Sequence, residues 1–197
     1  MEVKGDALRE IVALVPSYVE LKGNCTTIYT KEGDSYDVYK TLNTVLKWLA
    51  NYYLTDLKAV RKYCYEILAL KVLVPIPFNN GNVFIPIRVR RPLFKHDGSI
   101  GYVDLEYIDK TEEIEEEDDK KVTDMHLKNG ITIRCLNSKE TVDKHIRNGY
   151  IMQKFWSDRA APRVDKKNFY KEYDKPATKG DIALLMKEII RLRELLR

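Results

Sequence analysis

In KVLVPIPFNNGNVFIPIRV, residues 71–89, two apolar runs flank Asn79-Asn80-Gly81-Asn82, with Gly81 in the loop. Such a pair of period-two runs is a β-hairpin, so this part of the chain is antiparallel sheet. Pro75 and Pro77 stand two apart, and their missing N–H groups fall on one side of the strand. That places the first strand of the hairpin at a sheet edge.

Downstream, GYVDLEYI (101–108) alternates Val103, Leu105 and Tyr107 against Asp104 and Glu106, which reads as a half-buried strand. TEEIEEEDD (111–119) offers little to bury and reads as a solvated loop or bulging turn. KVTDMHLK and ITIRC flank Asn129-Gly130, the strongest hairpin signal in the chain, and predict a type I′ turn. Upstream, the first 39 residues read as strands. IVALV ends at Pro16, and TTIYT (26–30) and SYDVY (35–39) flank KEGD with Gly33 in the turn.

Between the hairpins the period lengthens. Leu42, Val45, Leu46, Leu49 and Tyr53 make one helical stripe, and Leu57, Val60, Cys64 and Ile67 a second after a break and N-cap at Thr55-Asp56. A third helix opens at Asn137-Ser138, with Glu140 placed for a capping box, and runs to about Trp156 with Val142, Ile146 and Tyr150 on one face. The reading is α+β: antiparallel hairpins forming a sheet packed with helices, plus a projecting C-terminal helix. Residues 1–157 form the α+β domain, the charge-rich aperiodic stretch 158–179 a linker or arm, and 180–197 an oligomerisation helix. There is no internal repeat.

With 197 residues, 44% apolar and 32% charged, the chain has the material of a folded globular domain and excludes disorder for most of its length. No apolar run approaches the roughly 20 residues of a membrane span, and the acidic N-terminus lacks a signal-peptide core, so a cytoplasmic, nucleoid-associated location without membrane contact is expected. Cys25, Cys64 and Cys135 are few, odd in number and far apart, which predicts buried reduced thiols. The net charge of +4 hides strong segregation. Residues 101–119 carry 1 base and 10 acids, net −9, while 55–100 carry 8 and 3, net +5, and 120–197 carry 19 and 10, net +9. Two basic regions of this kind favour a polyanionic partner.

Signatures of catalysis are weak. There is no Gly-rich phosphate loop, nucleophile elbow or H-E-x-x-H, and His96, His126 and His145 each stand alone, so no catalytic residue, metal or cofactor is assigned. The one nuclease-like pattern is Asp104 and Glu106 followed by Asp119-Lys120-Lys121, where two carboxylates would hold a divalent cation beside a lysine. A metal-dependent nuclease is therefore the least favoured alternative, behind a non-enzymatic protein-interaction module with a coiled-coil tail.

Three basic groups could face double-stranded DNA. Arg88 and Arg90, two apart on a strand and so on one face, with Arg91 and Lys95 beyond, suit a narrow AT-rich minor groove. Lys144, Arg147 and Lys154 share one face of the third helix, with Arg159 following. Lys58, Arg61 and Lys62 mark a helix–break–helix that lacks the glycine of a helix-turn-helix. At the C-terminus, Ile182, Leu185, Ile189, Leu192 and Leu196 repeat with spacings 3, 4, 3, 4. Isoleucine at a and leucine at d make a two-heptad seam that favours a parallel dimer.

Several strings in this order resemble the ComK family of bacterial competence transcription factors. IVALVP (11–16) is similar to that family's N-terminal strand, and KTLNTVLKWLANYY (40–53) falls where it has its first helical segment. KVLVPIPFNNGNVFIPI (71–87) resembles its proline-containing hairpin. LKNGITIRCLNS (127–138) with HIRNGYIMQKFWSDR (145–159) resembles its asparagine-glycine turn, strand and arginine-containing helix. TDLKAVRKYCYEIL lacks the family's glycine stretch, and SIGYVDL (99–105) stands where the family has a cysteine-tryptophan pair. The resemblance implies a transcription activator that binds AT-rich DNA, largely through the minor groove, as a dimer or tetramer. NFYKEYDKP (168–176) loosely echoes the family's segment for a proteolytic adaptor, which makes that adaptor a further implied partner.

Overall fold

A computed structural model describes residues 5–79, 81–94, 97–115 and 121–160, together with Ile182, Leu185, Met186, Ile189 and Arg193; at Gly5, Asp6 and 158–160 it describes the backbone alone. The chain divides into two compact units, Met1–Ala160 and Ala161–Arg197. In the second unit the five described positions are helical.

The first unit is α+β, as expected. Its order is α1 (Gly5–Arg9), β1 (Ile11–Val19), β2 (Gly23–Thr30), β3 (Ser35–Val38), α2 (Leu42–Tyr52), α3 (Leu57–Leu68), β4 (Ile76–Pro77), β5 (Val83–Arg88), β6 (Ile100–Asp104), a 3-10 turn (Leu105–Tyr107), β7 (Ile108–Glu115), β8 (Lys121–Leu127), β9 (Thr132–Cys135) and α4 (Lys139–Ala160). A six-stranded antiparallel sheet runs β3-β2-β1-β6-β5-β4, and a three-stranded sheet runs β7-β8-β9.

The large sheet is a middle layer. On one face Leu14, Ile28, Phe84 and Tyr102 pack with Val45, Leu46 and Leu49 of α2 and Val60 and Cys64 of α3. On the other, Ala13, Ile85, Ile87 and Val103 meet Met125, Leu127 and Ile133 of the small sheet and Val142 of α4. Burial on both faces explains why VFIPI of β5 is unbroken in its apolarity: all five side chains are buried. β4 is indeed an edge strand, two residues long. It covers only Val83 and Phe84 of β5, so Pro86 has no ladder partner to lose on that side. Asp56 caps α3 by accepting from the N–H groups of Lys58 and Ala59 at 2.8 and 3.2 Å. All three cysteines are free and buried, and burial pushes the Cys64 and Cys135 thiols up to about 12.

Eight local expectations are corrected. A short α1 precedes the first strand, so the opening residues are not all extended. Pro16 does not end β1, which continues to Val19; the ladder to β6 stops at Ala13 and Leu14, so Pro16 lacks a partner there anyway. The 101–108 strand breaks after Asp104, whose carboxylate accepts from the Glu106 N–H at 3.2 Å and turns the chain. The acidic segment is not a loop as far as Glu115: it is β7, an edge strand whose Ile108, Thr111 and Ile114 are half-buried and whose acids face solvent. Charged side chains on an edge strand deter edge-to-edge pairing, and Lys121 at 2.8 Å from Glu113 offsets part of the charge. Residues 116–120 lie outside the described residues.

The Asn129-Gly130 turn is not type I′, because Gly130 alone has positive φ, at 84°. Gly130 N–H donates to Leu127 O and Leu127 N–H to Ile131 O, a three-residue loop with glycine in the left-handed position. The buried face of α4 is Val142, His145, Gly149 and Met152; Tyr150 is exposed and Ile146 half-buried. The N-terminal cap contact joins the Ser138 hydroxyl to that of Thr141 at 3.1 Å in place of the expected Glu140, and the helix continues four residues beyond Trp156.

Candidate nucleic-acid interface

One end of the large sheet gathers the C-termini of β1 and β5, the N-termini of β2 and β6, and the start of α4. β5 ends at Arg88, whose N–H donates to Asn137 Oδ1 at 2.7 Å and whose carbonyl accepts from Leu136 N–H at 2.6 Å. These two bonds lash the strand end to the entry of α4 and leave the Arg88 side chain exposed.

Beyond Arg88 the two-residue logic fails, because the strand is over. Arg90 does not stand beside Arg88 as a free cation. Its guanidinium lies over the Tyr18 ring, 4.1 Å from the centroid, with Nε donating to Gly98 O at 2.8 Å and Nη2 to Asn24 Oδ1 at 2.6 Å. Arg90 is a positioning residue that ties the β5–β6 loop to the β1–β2 hairpin. Arg91 is exposed, and Lys95 lies outside the described residues.

α4 contributes the second surface. Gly149 lets the helix lie close on the sheet: a Cβ there would stand 2.7 Å from Ile85 Cγ2 and 3.2 Å from Leu105. The opposite face exposes Lys144, Arg147 and Lys154, with Tyr150, Ile151 and Phe155 among them. Lys144 and Lys154 are ten residues apart, about 15 Å along the axis. Arg159 is in the helix, its side chain outside the described residues. Among the described residues, Arg88, Arg91, Lys144, Arg147 and Lys154 make no ion pair, whereas Arg134 is bound to Asp124 through two hydrogen bonds and Lys139 to Asp143. The Arg134 pairing holds the Asp124 carboxyl below its ordinary range.

Of the third basic group, Lys58 and Lys62 are exposed and Arg61 is half-buried; with Lys47 they line a groove of about 740 Å³ between α2 and α3. Of the apolar seam, Ile182, Leu185 and Ile189 are helical and 53, 64 and 58% exposed, while Leu192 and Leu196 lie outside the described residues. Met186, which the heptad reading passed over, is exposed next to them.

Of the carboxylate pattern, the described members Asp104, Glu106 and Lys121 each bond elsewhere. Asp104 is fully buried, its two oxygens accepting from Asn82 Nδ2 at 2.9 Å and from Glu106 N–H. Glu106 accepts from Gln153 Nε2, and Lys121 pairs with Glu113. Asp119 and Lys120 lie outside the described residues, and among those described no group of three or more metal-ligating side chains converges.

Burial raises the Asp104 carboxyl to about 6, against the partial relief of its two hydrogen bonds. A carboxyl with a raised folded pKa binds more protons folded than unfolded between pH about 4 and 6. Folding stability therefore falls as pH rises through that window, and stays lowered above it. At about 1.4 kcal/mol per unit the loss is about 3 kcal/mol. Urea unfolding of the native protein and of Asp104→Asn from pH 4 to 7 measures it: the native protein should lose about that much relative to the variant across the window. A constant difference would contradict the burial of an ionisable carboxyl.

No membrane span exists among the helices of the described residues. Comparison with protein-family models, with curated proteins and with solved structures finds no match to this chain.

Proposed function

We propose that the protein is a ComK-like regulator of transcription that binds AT-rich double-stranded DNA as a dimer or tetramer. The observation that carries this reading is a set of five exposed cations without an ion-pair partner among the described residues, Arg88 and Arg91 at one sheet end and Lys144, Arg147 and Lys154 on the outer face of α4. Arg88 joins the two groups, since its backbone is bonded to the residues that open α4. Unpaired arginines and lysines on rigid supports gain from phosphate contact without first losing an internal partner. The arginines at the sheet end are the ones suited to a narrow minor groove; the helix cations suit the phosphates beside it. The strings that resemble the ComK family favour the same class of partner.

The two groups have different signatures. Lys144→Ala and Arg147→Ala should weaken binding to AT-rich and random duplexes alike and lower the salt slope by about one unit each. Arg88→Ala with Arg91→Ala should weaken AT-rich binding by about tenfold more than random binding. Fluorescence anisotropy on both duplexes reads the two effects. Unchanged affinity in every variant, with circular dichroism showing each folded, would remove this surface from DNA and leave Lys58, Arg61 and Lys62 to be tested.

A further inference from the structure

The loop between β5 and β6 carries Arg91-Pro92-Leu93-Phe94, and Leu93 and Phe94 are 69 and 71% exposed. Its base is held at every level. Val89 N–H donates to Ser99 O at 2.9 Å, and Arg90 bridges Gly98, Asn24 and the Tyr18 ring. Tyr18 OH donates to Asp97 Oδ2 at 2.6 Å and accepts from the Leu93 N–H itself at 2.8 Å. Asp97 N–H closes the tip by donating to Phe94 O at 3.0 Å. Asn24 Nδ2 takes the second Asp97 oxygen at 3.2 Å. Seven residues, Tyr18 of β1, Asn24 of β2 and five of the loop itself, thus fix a leucine and a phenylalanine in water.

We propose that Leu93 and Phe94 are a wedge that enters a base step of duplex DNA from the minor groove and kinks it. The proposal rests on the DNA-binding reading above and adds the mode of contact. Charge selects the occupant: between Arg88 and Ser99 the only acid is Asp97, and both its oxygens are already bonded within the loop base. Arg91, adjoining the wedge, is exposed and unpaired among the described residues. An exposed apolar pair beside an exposed arginine matches a polymer with phosphates outside and stacked apolar faces inside. Two contiguous apolar side chains suit a single base step, and insertion into the minor groove by such residues kinks the duplex by about 20–90°. The fixed base supplies preorganisation, so little chain entropy is lost on insertion.

The test uses the full chain and a duplex of about 30 base pairs, AT-rich, labelled at both ends for energy transfer. Binding of the native protein should bring the ends closer by a bend within that range. Leu93→Ala with Phe94→Ala should bind about tenfold more weakly and abolish the bend, while Leu21→Ser, which changes a 97% exposed residue of the neighbouring β1–β2 turn, should bend like the native protein. Native binding without a bend, or equal bending by the double variant, overturns the wedge and leaves the DNA-binding reading standing. Absence of duplex binding by the native protein overturns both. Flotation with phosphatidylserine-containing vesicles runs in parallel: Phe94-dependent vesicle capture without DNA bending would assign the tip to an anionic membrane surface and overturn the proposal.

Discussion

Removing residues 180–197, or replacing Ile189 and Leu192 with Asp, is expected to give a monomer whose affinity for paired AT-rich half-sites falls by about 100-fold. Ile182, Leu185, Met186 and Ile189 are all more than half exposed, and burying a leucine or isoleucine stabilises by about 1.5–3 kcal/mol. The two-heptad helix that the sequence predicts is marginal alone, and in the proposed assembly a second copy covers its apolar stripe. If two DNA-binding units are joined this way, the second half-site is met at a high effective concentration, and that advantage vanishes with the seam. Binding to a single half-site should change little. Light scattering and anisotropy on single and paired sites measure both parts; an unchanged mass after truncation would contradict the assembly role.

The second large effect is on folding. Gly149→Val should destabilise the protein by about 3 kcal/mol or more, because its first carbon alone would overlap Ile85 Cγ2 at 2.7 Å and crowd both Leu105 methyls. Ile85 and Leu105 are buried and cannot move aside. Gly149→Ala gains about 1 kcal/mol of helix propensity and should still be net destabilising. Tyr150→Ala, one residue on but solvent-facing, serves as the control. Thermal unfolding should place the valine variant about 6–12 °C below the native protein and the control within a few degrees. A valine variant as stable as the native protein would show that α4 does not lie this close on β5.

What could be read from the sequence was what neighbours in the chain decide. The turns at Gly33 and Gly81, the edge placement of Pro77, the Asp56 cap and the stripes of α2 and α3 all follow from spacing within a dozen residues. β7 escaped because its composition is that of a loop; only the partner strand β8, with Val122 opposite Ile114, makes it a strand. The α4 face was misassigned because Gly149 and His145 carry no hydrophobic signal, yet both are buried. Of the basic residues, exposure at Arg88, Arg91, Lys144, Arg147 and Lys154 agrees with their sequence pattern. Arg90 could not be told from them, since its partners Tyr18 and Asn24 are more than sixty residues away. The same distance hid the loop base that presents Leu93 and Phe94.

The central claim is that this chain binds AT-rich duplex DNA through unpaired cations, and an anisotropy titration of matched AT-rich and GC-rich duplexes between about 50 and about 200 mM salt tests it most directly. The account predicts tighter binding to the AT-rich duplex at every salt concentration. It also predicts a fall in log affinity with log salt of slope about −4.5 for the five cations of one protomer. Equal affinity for the two duplexes, or no binding of either at the lowest salt, would contradict it.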